Sequence, residues 1–93
     1  MDMKFKGRRV AEVRHDRWMG GMEPGDYGKD ADGLWMCRPI GDFLGTLGDG
    51  TGKHGHVVAE HEDGTITVSP SILISDGKSS WHGFLEKGVW REC

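Results

Sequence analysis

The sequence predicts a mainly β protein: a small antiparallel sheet, laid out as a meander, with long glycine-rich loops. Three observations lead there. No segment sustains apolar residues at i, i+3, i+4 and i+7, so an amphipathic helix has no support. Short apolar runs are instead broken repeatedly by glycine, of which the chain has 16. From His56 onward, turn dipeptides alternate with strand-like runs.

The elements follow in order. Residues 8–14 (Arg-Arg-Val-Ala-Glu-Val-Arg) predict a first strand. Residues 19–33, rich in glycine and aspartate, predict an irregular loop. Gly33 to Arg38 predicts a second strand, ended by Pro39. Residues 41–55 are again glycine-rich. The Gly-Asp-Gly-Thr-Gly-Lys stretch at 48–53 has neither the spacer nor the Ser or Thr after lysine that a phosphate loop needs, so a flexible loop is expected. Residues 56–61 form a strand, Glu62-Asp63-Gly64 a turn, and 65–69 the strand that pairs back. Asp76-Gly77 marks the next turn, 81–86 a strand, Lys87-Gly88 a two-residue turn, and 89–92 the last strand.

Side chains alternate across a strand. Within 65–74 one face carries Ile66, Val68, Pro70, Ile72 and Ile74; the other carries Thr65, Thr67, Ser69, Ser71 and Leu73. Pro70 cannot donate to a ladder, so the strand is at an edge, bulged or broken there. His56 shares a face with Val58 and Glu60, and His82 with Phe84 and Glu86.

Length and composition set the bounds. Ninety-three residues make one domain, 1–93, with a small core. Four tryptophans supply much of that core, Trp35 and Trp81 first among them. The net charge of -3 argues against a nucleic-acid partner, and the basic cluster over residues 4–17 is expected to be a solvated face. No apolar run approaches the ~20 residues of a membrane span, and no signal segment follows Met1. A soluble, cytoplasmic protein with Cys37 and Cys93 as free thiols is expected. The chain has neither asparagine nor glutamine, which removes a Cys-His-Asn triad and any amide side chain from an oxyanion hole.

Three chemistries remain open. The first is a serine hydrolase, for which a hydroxyl needs a base to take its proton. Ser71 is the expected nucleophile, His82 the general base and His56 the orienting group; the two histidine roles could be exchanged. Ser71 is preferred to Ser69 because Ile72 follows with an N–H, whereas Pro70 has none, and Ser69 then shapes the turn. The second is a zinc site in which His54 and His56 share a strand face and His61, His82 or Cys37 completes the set, although the spacing fits no common pattern. The third is a non-catalytic module that binds a host protein through Trp18, Trp90 and Arg91.

The block Thr67-Val68-Ser69-Pro70-Ser71-Ile72, preceded by Gly55-His56-Val57 and followed by Trp81-His82, resembles a small domain family widespread in phage genomes. That family is related to the BubE serine peptidases of bacterial ubiquitin-like conjugation operons. The resemblance covers about 40 residues. It implies a peptidase-like domain with a protein substrate, possible ubiquitin-like specificity and residence in a host cytoplasm. The family's cysteines are mostly absent here, and Trp81 stands where one is usual. A metal held by those cysteines is therefore not expected, and the reading carries no cofactor.

Overall fold

The computed structural model describes residues 4–53 and 55–93. The described residues form two sheets packed face to face. The first has five strands in the order β1-β9-β8-β7-β6: β1 (Lys4–Lys6), β6 (Val57–Glu60), β7 (Ile66–Ser75), β8 (Ser80–Glu86) and β9 (Val89–Glu92). The second has four in the order β2-β3-β4-β5: β2 (Arg8–Arg9), β3 (Asp26–Lys29), β4 (Trp35–Arg38) and β5 (Gly45–Gly48).

The meander β6 to β9 has the local causes expected of it. Lys87 (φ 48°) and Gly88 (φ 76°) take the left-handed conformations a tight two-residue hairpin needs. That turn sets Glu86 opposite Val89, Leu85 opposite Trp90 and Phe84 opposite Arg91. Alternation along β7 buries Ile66, Val68, Ile72 and Ile74, while Leu73 and Ser75 face solvent. The inner faces meet in one core. Tyr27, Trp35, Cys37 and Leu47 come from the second sheet; the β7 residues, Trp81, Leu85 and Trp90 come from the first. Each buried Leu, Ile and Val among them contributes roughly 1.5–3 kcal/mol on burial. Close approach of the sheets depends on Gly45, where a Cβ would lie 2.9 Å from both Cys37 Sγ and Ile74 Cδ1.

The first half of the chain departs from expectation in three places. The predicted strand 8–14 pairs only over Arg8–Arg9, and it does so in parallel with β3, the one parallel pairing among the described strands. Val13 then turns inward to a satellite cluster with Met22 and Met36. The loop expected over 19–33 contains β3, and the glycine-rich stretch 41–55 contains β5, which ends at Gly48 where the expected flexible loop begins. Both are glycine-bearing strands of four residues, too short to show alternation, and their partners hold them. Pro70, placed by strict alternation on the buried face, is exposed.

Candidate active site

Pro70 breaks β7 where its missing N–H requires. Val68 pairs with Leu85 and Ile72 with Gly83, so Ser69, Pro70 and Ser71 stand opposite Phe84 alone. The Ser69–Pro70 peptide is cis. Downstream of this bulge, Leu73 is opposite His82. The bulge puts the Ser71 side chain on the outer face beside that histidine, and the Ser71 hydroxyl lies 2.8 Å from His82 Nε2. Ser71 is half-buried and His82 exposed. With Nε2 accepting the serine proton, the neutral ring carries its own proton on Nδ1. His82 packs at a tilt against Phe84, ring centroids 6.3 Å apart.

His56 meets the serine from its other side. Its Nε2–H donates to the Ser71 carbonyl oxygen at 2.9 Å. The contact is with the main chain of Ser71 and not with the His82 ring. Its Nδ1 is enclosed without a hydrogen-bond partner among the described residues. Because the Ser71 carbonyl faces His56, the other end of that peptide, the Ile72 N–H, faces β8, where Gly83 is the ladder partner of Ile72. That N–H is spent in the sheet and does not serve an oxyanion. Ser69 is exposed at the start of the bulge, and its hydroxyl bonds neither histidine.

The residues of the zinc reading do not converge. His61 Nε2 lies 2.7 Å from the Thr67 hydroxyl, which also accepts the Lys87 N–H at 2.9 Å. Cys37 is fully buried, and desolvation pushes its thiol up to about 12. Both cysteines are free. His54 lies outside the described residues. Among the described residues no three His, Cys, Asp or Glu side chains gather as a metal site. The tryptophans separate as well: Trp35, Trp81 and Trp90 are core, so Trp90 is not available to a partner, whereas Trp18 is 74% exposed. Arg91 lies over the Phe84 ring, 4.3 Å from its centroid.

Two features escaped the sequence. A shallow cleft of about 250 Å³ beside the bulge is lined by Thr67, Ser69, Pro70, Phe84, Glu86 and Arg91. The two-residue turn at Lys87-Gly88 was signal enough to place Arg91 across from Phe84. His15 Nε2 also pairs with the buried Asp30 carboxylate at 2.8 Å, holding it below the usual carboxylate range together with the Leu34 N–H. No local pattern links residues 15 apart in this way. Among the described residues no helix is long and apolar enough to cross a membrane. No family model matches the sequence, and no curated protein or solved structure matches it.

Proposed function

We propose that the protein is a hydrolase with a Ser71–His82 dyad, acting on an acyl bond of a protein substrate. One observation carries this reading: the 2.8 Å contact between the Ser71 hydroxyl and His82 Nε2 on an open face. As Ser71 Oγ attacks a carbonyl carbon, its proton passes to His82 Nε2. The imidazolium then returns that proton to the leaving group, and an acyl-serine remains. A water molecule, deprotonated by the same nitrogen, releases the acid and restores the serine.

The site lacks two parts of a fast hydrolase. No carboxylate or imidazole among the described residues bonds His82 Nδ1, and the Ile72 N–H is not available to an oxyanion. Loss of one oxyanion donor costs about 10²–10³ in kcat where it is used, so slow turnover is expected. A ubiquitin-like substrate and a host-cytoplasmic setting rest on the resemblance of the Thr67–Ile72 block to the BubE group.

An alkyl fluorophosphonate tests the dyad. Intact-mass analysis should show one adduct, lost in Ser71→Ala and slowed 10²-fold or more in His82→Gln, with both variants folded. Folded protein that takes up no adduct, or takes it up elsewhere, would sink the reading.

A second reading, non-catalytic binding of a host protein, is favoured by Trp18. Its 74% exposed indole follows Arg17 and opens the short turn Trp18–Gly21, in a segment whose ends are pinned by buried Val13 and Met22. Trp18→Ala should then leave the melting temperature unchanged while removing affinity for that protein. A Trp18→Ala protein that still captures its partner at full affinity would exclude the loop as the interface.

A further inference from the structure

The edge of β7 next to the dyad is unpaired. β6 accompanies β7 only as far as Val57 opposite Ser69. Beyond that point two observations fix where the main chain of β7 points. The Ser71 carbonyl faces His56, away from β8. The His82 carbonyl accepts from the Cys93 N–H on the β9 side, so His82 and Leu73 form a non-hydrogen-bonded pair. Both place the N–H and C=O of Leu73 on the side that β6 has left. No described strand pairs there. Across the gap stand Leu44, Gly45 and Thr46, the start of the edge strand of the other sheet. The β7 edge and the start of β5, whose Leu47 carbonyl accepts the His56 N–H at 3.2 Å, enclose a cleft of about 220 Å³, lined also by His56, Ile72, Ile74 and Ser75.

We infer that this cleft receives an extended segment of polypeptide, added to β7 as a short extra strand hydrogen bonded to Leu73. The inference rests on the hydrolase reading for its purpose, because it makes an unfolded tail or loop the substrate that reaches Ser71. Unpaired edge groups supply main-chain affinity of the kind used in strand addition. The volume suits a few residues of one chain. It does not admit a second copy of this protein, whose whole sheet would meet the wall at 44–46. His56 closes one end: its ring already holds the Ser71 carbonyl, so an incoming strand cannot continue in the plane of the sheet. The segment must rise there onto the outer face, where the Ser71 hydroxyl and His82 lie.

Binding is separable from chemistry if the Ser71→Ala protein is used. The probe is an array of random-sequence decapeptides, with each binder remade carrying N-methyl groups at alternate residues. One of the two methylated phases should weaken binding tenfold or more, because only one set of amides faces β7. Leu73→Pro, which removes an edge donor without touching the β8 ladder, should weaken binding similarly. So should Thr46→Trp, which fills the cleft from the far wall and keeps the test valid if Leu73→Pro fails to fold. The inference is overturned if no decapeptide binds, if binding ignores methylation and Thr46→Trp, or if sedimentation shows the edge covered by a second copy. Peptide binding by Ser71→Ala without fluorophosphonate uptake by the parent protein would retain the cleft and remove the hydrolase.

Discussion

Trp81 and Trp90 meet edge to face in the core, centroids 5.5 Å apart, yet their indole N–H groups fare differently. Trp90 Nε1 donates to the Gly25 carbonyl at 2.9 Å and so joins the two sheets. Trp81 Nε1 is enclosed with no partner among the described residues. A satisfied buried bond contributes about 1 kcal/mol, while an enclosed unpaired donor costs about 1–3 kcal/mol. Phenylalanine in place of Trp90 should therefore destabilise by at least about 1 kcal/mol more than phenylalanine in place of Trp81. Urea midpoints of the two variants measure this, and equal losses would contradict it. At the same scale, alternation placed Ser71 on the polar face of its strand and His82 on a face with Phe84 and Glu86. Their separation could not be read, because it depends on how many residues the Pro70 bulge inserts.

At the scale of single elements, the β8–β9 hairpin concentrates backbone demands in two residues. Gly88 sits at φ 76°, and a Cβ there would lie 2.8 Å from Thr65 Cγ2. Alanine at this position should cost more than about 1 kcal/mol. Lys87, a non-glycine residue at φ 48°, is suited to asparagine, which tolerates that conformation better. Its N–H to Thr67 Oγ1 survives the exchange. Thermal melts should show Gly88→Ala falling several degrees and Lys87→Asn holding or rising. The Lys87-Gly88 and Asp63-Gly64 turns were legible because their chemistry is local. The strands β3 and β5 were not, since Asp26–Lys29 and Gly45–Gly48 carry glycines and become strands through their ladder partners.

Across the whole molecule, three loop carboxylates set the response to acid. Asp30 is held low by the His15 ring and then by the Leu34 N–H, Asp63 by the Thr65 hydroxyl and N–H, and Asp76 by the Ser79 and Lys78 N–H groups. Each folded value lies below the ordinary 3.8. The stability they contribute is thus complete above that value and is lost as pH falls through the lowered ones. Denaturant midpoints should fall as pH drops below about 4, and Asp30→Asn should flatten part of that limb. An unchanged slope would remove Asp30 from the account.

The β class, the meander from Val57 to Glu92 and the polar face of β7 are written in the order of the residues. All three follow from period-2 alternation and turn residues acting over a few positions. The second sheet, the pairing of His15 with Asp30, the burial of Trp90 and the seating of His56 on the Ser71 carbonyl arise only once the chain is folded. Each joins residues far apart in the chain, and the register that joins them is set by packing across the core, where no local pattern reaches.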